Sequence, residues 1–249
     1  MKLDQVIATR SNKTIYRSGD LAVKVFGDGF SKEDVLNEAL NQARVEETGL
    51  NIPAVEEVLK IDGKWAIVSD FVEGKTLAQM IEEAPDKKAE YIGMMVDLQI
   101  LVHSKRAAHL NRLREKMHSK ISQASLDDAT KYELQTRLES RPKHNKVCHG
   151  DFFFSNIIVK PDGTPFILDW SHATQGNASA DVARTYLLFW LAGDVAGAEL
   201  YLKLYAEKTG TAKRYVKNWL PIVAASQSVK GNEKEREFLL SWATVVDFE

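Results

Sequence analysis

The sequence predicts an α+β fold in two parts, a small antiparallel sheet with one helix and a larger, mostly helical region. Short segments rich in β-branched residues fill the first third of the chain. Apolar residues recur at helical spacing through most of the remainder. The chain has 249 residues, 44% of them hydrophobic, which is enough for one large domain or two lobes. We place the boundary between residues 1–72 and 73–249.

Five strands and one helix are expected in the N-terminal part. The helix has Ser31 as its N-cap, two acidic residues in its first turn and Gly49 at its end. Turns at Ser18-Gly19-Asp20 and at Asp62-Gly63 separate strands. The expected strands are QVIATR, TIYRSG, LAVKVF, AVEEVLKIDG and KWAIVSDFV.

Helices dominate the C-terminal part, with one interruption. Two strands are expected around the turn Pro161-Asp162-Gly163, inside the segment VCHGDFFFSNIIVKPDGTPFILDW. A helical run is expected at the C-terminus. The other expected helices are TLAQMIEEAP, AEYIGMMVDLQILVHSK, SLDDATKYELQTRLES, SADVARTYLLFWLAG and AGAELYLKLYAEKTG.

Composition narrows the classes of function. The net charge is -2, from 33 basic and 35 acidic residues, which argues against a nucleic-acid partner. A single cysteine, Cys148, rules out a disulfide framework and indicates a reducing compartment. The N-terminal residues lack an apolar signal core, and the most apolar run, TYLLFWLAG, is too short to span a membrane. We therefore expect a cytoplasmic protein without a membrane partner, and we make no prediction of its oligomeric state.

The segment EGKTL contains Gly74-Lys75-Thr76, which is similar to the end of a phosphate-binding P-loop. The full motif requires a glycine five residues before Gly74, and Ser69 occupies that position. We interpret this segment as a turn.

Polar residues at the ends of the two strands around Pro161 indicate chemistry. A hairpin there brings Asn156 and Asp169 near each other, and Asp151 lies on the loop before the first strand. Mg²⁺ prefers oxygen ligands and is usually held by one or two protein groups together with substrate phosphates. A carboxylate nearby can accept the proton of a hydroxyl group. Phosphoryl transfer needs this combination.

The ordered set His149-Gly150-Asp151, Asn156 and Leu168-Asp169-Trp170 resembles the HGDxxxxN…DW signature of aminoglycoside phosphotransferases and choline-kinase-like small-molecule kinases. These proteins share the catalytic layout of protein kinases. The resemblance implies a two-lobed protein-kinase-like fold, with a nucleotide-binding lobe in 1–72 and the catalytic loop and acceptor site in 73–249.

The same resemblance assigns roles to individual residues. Asp151 would be the catalytic base, and Asn156 and Asp169 would be the Mg²⁺ ligands. His149 would brace the loop. The implied cofactors are ATP or GTP together with Mg²⁺.

A lysine on the α- and β-phosphates is the next expected part, paired in the family with a helix glutamate. Lys24 in LAVKVF fits the lysine, and Glu38 lies fourteen residues further on. Glu33 and Glu46 are the competing candidates. We prefer Glu38 because its apolar neighbours, Val35, Leu36, Ala39 and Leu40, indicate a turn of the helix that faces inward.

The phosphate-covering segment, ATRSNKTIY, departs from the family because it has no glycine. Ser11, Asn12 and Lys13 can still offer backbone or side-chain groups to phosphate, and Asn12 and Tyr16 match residues that the family often retains. In the connector IVSDFVEG, the resemblance places the adenine against Asp70 C=O and Val72 N–H.

Asp181, in ASADVARTY, matches a family aspartate that ties down the catalytic loop, although a carboxylate at a helix start also complements the helix dipole. It follows Asp169 by only twelve residues, and no Ala-Pro-Glu follows, so a protein-kinase activation segment is missing. We therefore expect transfer of the γ-phosphate of ATP to a small-molecule hydroxyl. A sugar, an amino alcohol and an aminoglycoside-like compound all remain open as acceptors.

Two alternatives remain. The glycine-free segment makes a nucleotide-binding pseudokinase plausible, although every catalytic position named above is filled. A metal-dependent hydrolase would use His149, Asp151, Asp169 and His172, and it needs a further cluster of ligands. His103, His109 and His118 are expected on helix surfaces instead. Carboxylates in KGNEKEREF and VVDFE either attract a cationic acceptor or form a solvated helix face.

Overall fold

The computed structural model describes residue 3 and residues 5–10, 12–231 and 233–244. The chain divides into two compact units. The first comprises Met1–Glu83 and Phe154–His172, and the second comprises Ala84–Phe153 and Ala173–Glu249. The assignment of nucleotide binding to 1–72 and of the acceptor to 73–249 stays a prediction.

The fold is α+β, as the sequence predicts, with the strands concentrated in the first unit and the helices in the second. The strands are β1 (Gln5–Arg10), β2 (Lys13–Ser18), β3 (Leu21–Phe26), β4 (Val55–Ile61), β5 (Lys64–Asp70), β6 (Lys75–Thr76), β7 (Lys146–Cys148), β8 (Ile157–Val159), β9 (Pro165–Ile167) and β10 (Thr174–Gly176). The helices are α1 (Lys32–Glu46), α2 (Leu77–Glu83), α3 (Lys88–Ser104), α4 (Leu113–Gln123), α5 (Asp128–Ser140), α6 (Ala178–Leu191), α7 (Val195–Thr209), α8 (Lys213–Lys217), α9 (Leu220–Gln227) and α10 (Glu233–Ala243).

The main sheet of the first unit has the strand order β1-β2-β3-β5-β4, and every neighbouring pair is antiparallel. Asp62 and Gly63 have φ of 49° and 81°, so both residues of the β4–β5 turn are left-handed. Two such residues in succession suit the right-handed twist of a hairpin, and Asp-Gly tolerates them. This turn chemistry explains why the sequence predicts the hairpin correctly.

Helix α1 begins where the sequence places it, because Ser31 and Asp34 form a reciprocal capping box. Ser31 Oγ accepts the Asp34 N–H at 3.1 Å, and the Ser31 N–H donates to Asp34 Oδ2 at 3.0 Å. The helix buries Val35 and Ala39 against the sheet.

The expectation that Leu36 and Leu40 also face inward is wrong, since they are 43% and 48% exposed. Each follows a buried residue, so it is rotated by about 100° away from the sheet.

A second, three-stranded sheet in the first unit has the order β6-β8-β9. The hairpin β8–β9 is the one expected around Pro161-Asp162-Gly163. Gly74 precedes β6 and packs tightly on β8, because a Cβ there would lie 2.4 Å from Val159 O. The glycine of EGKTL is therefore required by close backbone packing.

The second unit is mostly helical, with the antiparallel pair β7–β10 inside it. Helix α4 was not expected from the sequence. No helix within the described residues is long and apolar enough to cross a membrane.

Cys148, at the end of β7, is 1% exposed, and its Sγ lies 3.7 Å from Asn177 O. Burial and the nearby Asp181 carboxylate raise the pKa of this thiol well above its usual value.

Candidate active site

Glu38 on α1 binds two lysines of the main sheet. Its Oε1 lies 2.7 Å from Lys24 Nζ, and its Oε2 lies 2.8 Å from Lys13 Nζ. The Glu38 side chain is only 8% exposed. Glu33 is exposed, and Glu46 instead accepts the Val55 N–H at 2.8 Å. Of the three candidate glutamates, Glu38 is thus the one that meets Lys24.

Asp169 extends this ion network within the first unit, with its Oδ1 3.7 Å from Lys24 Nζ. Burial alone would raise the pKa of the Asp169 carboxyl, but Lys24 and Lys13 hold that pKa well below its usual value. Asp169 Oδ1 is buried and has no hydrogen-bond partner among the described residues. An ionised carboxylate with an unused buried oxygen suits a cation ligand.

The β8–β9 hairpin brings Asn156 to the backbone beside Asp169. Ile157 pairs with Ile167, and the Leu168 N–H donates to Asn156 O at 2.8 Å. Asn156 is 2% exposed. Two side chains with oxygen donors therefore lie at the same end of one hairpin, which is the donor set that Mg²⁺ prefers.

The backbone at Asp169 is unusual and is held in place by its neighbours. Asp169 has φ of 60°, which is left-handed and costs energy for a residue other than glycine. Trp170 is fully buried, and its Nε1–H donates to Ile167 O at 3.1 Å. Asn41, one turn after Glu38 on α1, donates to Ser171 O at 3.2 Å. The same helix thus orients Lys24 through Glu38 and anchors the chain after Asp169.

In the second unit, Asp181 fixes the loop that carries His149-Gly150-Asp151. Its carboxylate accepts the backbone N–H groups of His149 at 3.1 Å and Gly150 at 2.7 Å. His103 Nε2 lies 3.0 Å from the same carboxylate, and Gln99 Nε2 lies 3.2 Å away. Burial opposes ionisation, but the hydrogen bond and charge of His103 lower the pKa of Asp181 below its usual value.

Asp151 itself is partly exposed, at 30% of its side chain. Its N–H donates to Nδ1 of the fully buried His149 at 3.2 Å, so His149 orders the backbone at Asp151. Asp151 Oδ1 lies 3.4 Å from Arg184 Nη2 on α6. An accessible carboxylate on a fixed loop is suited to accept a proton from a bound hydroxyl group.

The expected nucleotide contacts fall on two short segments of the first unit. Ser11 lies outside the described residues. Only two residues separate β1 from β2, so most of ATRSNKTIY is strand. Asn12 O accepts the Gly27 N–H at 2.8 Å. Asp70 ends β5, its Oδ2 accepts the Ala54 N–H at 3.0 Å, and Val72 follows in the segment before β6.

Sequence reasoning missed His103 and Arg184. The expectation that His103 lies on the surface is wrong, because it is 2% exposed and bonded to Asp181 and Tyr205. Met95, Gln99 and His103 follow one another at intervals of four residues on α3, and this spacing was the available signal that His103 belongs to a buried helix face. Arg184 had only its spacing of three from Asp181 to mark it.

Within the described part of the chain, no group of three or more His, Cys, Asp or Glu side chains is placed to hold a metal ion. His109 and His118 are exposed. The ligand cluster that a metal-dependent hydrolase would need is not found among these residues.

Comparison with known proteins agrees with a kinase-like phosphotransferase. Residues 4–216 match the model of the phosphotransferase enzyme family (APH). The chain belongs to this family, and the expectation of a small-molecule kinase is confirmed. No curated protein matches the chain.

Solved structures share the fold at low sequence identity. A thermostable mutant of the aminoglycoside phosphotransferase APH(4)-Ia has a TM-score of 0.68 and 14% identity, covering 95% of this chain and 91% of that one. The choline kinase LicA from Streptococcus pneumoniae has a TM-score of 0.62 and 16% identity, covering 97% and 91%. A choline/ethanolamine kinase family protein from Mesorhizobium loti has a TM-score of 0.62 and 16% identity, covering 97% and 86%. The protein-kinase-like fold is confirmed.

A variant of APH(4)-Ia has been solved with AMP-PNP and hygromycin B, and LicA has been solved with AMP. These two fold relatives therefore bind AMP-PNP and AMP, respectively, and the first also binds hygromycin B.

Proposed function

We propose that this chain transfers the γ-phosphate of ATP to a hydroxyl group of a small molecule. The observation that carries the proposal is the ion network of the first unit. Lys24 Nζ lies 2.7 Å from Glu38 Oε1 and 3.7 Å from Asp169 Oδ1. A lysine held by a buried glutamate beside a metal-binding carboxylate is the phosphate-positioning device of kinases.

Lys24 would bind the α- and β-phosphates, since its ammonium projects from β3 of the main sheet and is held by Glu38. Glu38 would orient that ammonium. The fold relatives that bind AMP-PNP, ADP or AMP support a nucleotide here. Asn12, Ser11 and the backbone at Asp70 and Val72 are the further nucleotide contacts that the family resemblance suggests.

Asn156 and Asp169 would hold Mg²⁺, whose chemistry is to neutralise charge on the β- and γ-phosphates. Asp169 Oδ1, which is buried and accepts no hydrogen bond from the described residues, supports this assignment. Asp151 would accept the proton of the acceptor hydroxyl as its oxygen bonds to the γ-phosphorus and the bond to ADP breaks. His149 and Asp181 hold the backbone of that loop and do not touch the reacting atoms.

Nucleotide binding and phosphate transfer can be tested separately. Calorimetry with ATP and with GTP, each with Mg²⁺, measures binding and nucleotide preference. ADP release measured across a panel of sugars, amino alcohols and aminoglycosides then detects transfer. Asp151→Asn is expected to lower kcat by roughly 10²–10⁴-fold. Its nucleotide Kd should change little, whereas Lys24→Met should weaken nucleotide binding. The matched control is Asp128→Asn, an exposed aspartate of α5.

The glycine-free segment between β1 and β2 favours one second candidate, a pseudokinase that binds nucleotide without transfer. That candidate would be supported if the chain binds ATP but phosphorylates no acceptor. It should also show no slow ATP hydrolysis that depends on Asp151. Failure to bind both ATP and GTP would contradict the kinase and the pseudokinase alike.

A further inference from the structure

The second unit contains a cleft between the start of α4, the end of α5 and the end of β10. Its volume is about 240 Å³. The cleft lies beside the segment that enters β7, whereas Asp151 follows the other end of that strand. None of the described residues to which a catalytic or nucleotide-binding role is assigned above lines it. The cleft is therefore a place where a second ligand can bind.

Hydrogen bonds hold the walls of the cleft in place. Arg114 Nη1 donates to both O and Oε2 of Glu139 at 2.9 Å, and Arg114 Nη2 donates to Arg141 O. These bonds tie the start of α4 to the end of α5. Gln175 Nε2 donates to Leu110 O at 2.6 Å, which fixes β10 to the segment before α4. The walls are thus formed before any ligand binds, as is usual for small-molecule sites.

The floor of the cleft combines apolar side chains with one buried donor. Trp219 lines the cleft and is 3% exposed, and its Nε1–H has no hydrogen-bond acceptor among the described residues. Buried N–H groups are nearly always paired, so this donor is suited to an oxygen atom that a ligand supplies. Met117 and Leu138 also line the cleft and are buried, and they offer contact to an apolar part of the same ligand.

The rim of the cleft carries more positive than negative charge. Arg112, Arg114 and Lys143 line it, and Glu115 is the carboxylate that does so. Arg114 is matched by Glu139 at 2.9 Å. Arg112 lies 3.8 Å from Glu115, and both are largely exposed, so this pair contributes little. Lys143 is exposed and forms no ion pair with any described residue.

The surroundings of His144, another residue of the rim, have the same sign of charge. Burial, followed by the charges of Lys146 and Arg106, lowers the pKa of its imidazole. Neither Lys146 nor Arg106 pairs with a carboxylate of the described residues. The neighbouring elements β7, β10, α8 and α9 contain no acidic residue. An anion at the rim is therefore attracted by several cations that no carboxylate neutralises.

We propose that this cleft binds a small organic anion, a molecule with a carboxylate or phosphate group on a compact apolar body. The anionic group lies at the rim beside Arg112 and Lys143. The apolar body packs on Met117 and Leu138, and an oxygen atom of the ligand accepts the Trp219 Nε1–H. Ligand pockets for larger molecules usually measure roughly 300–1,000 Å³, so the smaller volume of this cleft favours a compact ligand. The site is separate from the Asp151 loop, and binding here does not require phosphate transfer.

The test uses four small molecules that share a six-membered aromatic ring and differ in charge. Benzoate and phenyl phosphate are anionic, benzyl alcohol is neutral and benzylamine is cationic. The full-length protein labelled with ¹⁵N gives indole N–H signals from its five tryptophans, and the signal lost in Trp219→Phe is that of Trp219. The anions are expected to move this signal. At least one of them should bind roughly tenfold more tightly than benzyl alcohol or benzylamine, and the tighter of the two identifies the recognised group.

Variants connect that binding to the cleft. The double variant Arg112→Gln/Lys143→Gln removes two exposed cations of the rim and is expected to weaken anion binding roughly tenfold. Lys203→Gln/Lys208→Gln, at two exposed lysines of α7, removes the same charge elsewhere and should leave binding unchanged. Indole N–H signals that stay in place for the other tryptophans show that each variant is folded.

Several results would contradict the site. These are the absence of binding by either aromatic anion, equal binding of benzylamine, anion binding that the double variant leaves intact, and a response that spares the Trp219 signal. Acetate or inorganic phosphate binding as tightly as the aromatic anions would show general attraction to charge and would overturn the organic ligand. ATP binding, measured by the calorimetry described above, is independent of all these results.

Discussion

The carboxylate of Asp181 accepts the backbone N–H of Gly150 at 2.7 Å, one residue before Asp151. Three further donors, from His149, His103 and Gln99, meet the same carboxylate. A buried anion with four donors is costly to remove, because each donor left without an acceptor keeps its desolvation penalty.

Asp181→Ala is expected to lower the free energy of unfolding by about 3–5 kcal/mol, the usual result of breaking a buried pair. Denaturant unfolding followed by tryptophan fluorescence measures it. Asp128→Ala, on the exposed first turn of α5, should change stability little. Equal effects of the two variants would show that the four bonds at Asp181 contribute nothing.

The pH dependence of this effect has a definite sign. The folded pKa of Asp181 lies below its ordinary value of 3.8. Its ionised form therefore contributes stability that is complete above that pH and is lost as the pH falls further. The stability difference between wild type and Asp181→Asn, measured by urea unfolding from pH 7 to pH 3, should be constant at first and should narrow only at the acid end.

Lys13→Met is expected to weaken nucleotide binding roughly tenfold, with a smaller effect than Lys24→Met. Lys13 binds the other oxygen of Glu38 at 2.8 Å, and a hydrogen bond to a charged group contributes about 1.5–3 kcal/mol. Without it, Glu38 loses one of its two lysines and orients Lys24 less firmly. Calorimetry with ADP measures the Kd. Lys75→Met, in an exposed pair with Glu83, is the control, and a similar loss there would contradict a specific role for Lys13.

Lys120→Met is expected to raise thermal stability, because burial and neighbouring cations disfavour the charged form of Lys120 in the folded chain. The pKa of Lys120 is about 7 in the folded chain and 10.5 ordinarily. Below about pH 7 the folded state bears the full cost of the buried charge. As the pH rises from 7 to 10.5 the folded state has lost the proton that the unfolded state keeps, so wild-type stability rises. The Tm gain, about 2–4 °C at pH 6, should shrink toward pH 10. Lys203→Met, at an exposed lysine of α7 paired with Glu207, should show no such trend in its melting curves and provides the comparison.

Gly74→Ala and Gly93→Ala should change stability in opposite directions. At Gly74 a Cβ would lie 2.4 Å from Val159 O, so β6 and β8 must separate, at a cost of about 1–3 kcal/mol. At Gly93, inside α3, nothing lies within 4 Å of a new Cβ, and alanine is the better helix former by about 1 kcal/mol. Chemical denaturation measures the free energy of unfolding of both variants. An unchanged value for Gly74→Ala would contradict the explanation by close packing of β6 on β8.

Local chemistry explains what the sequence predicted well. The Ser31 cap, the Asp62-Gly63 turn and the alternating strands are specified by neighbouring residues, so β1 to β5 and α1 appear where expected. The ordered motif from His149 to Trp170 indicated the kinase-like fold. The pairing of Lys24 with Glu38 could be predicted because strand and helix periodicity each restrict which side chains face each other.

The rest depends on packing between distant segments. Leu36 and Leu40 were placed inward by their apolar character, but helix rotation turns them to solvent. His103 meets Asp181 across 78 residues of chain.

The single thiol of the chain, buried at Cys148, supplies a reporter of local opening. Iodoacetamide cannot reach this thiol while β7 and β10 stay paired, and the raised pKa keeps the fraction of reactive thiolate low. Its alkylation rate therefore measures how often the strand leading into the His149-Gly150-Asp151 loop separates from the rest of the second unit. The same rate compared with and without a bound acceptor would show whether occupancy stiffens that strand, without any introduced label.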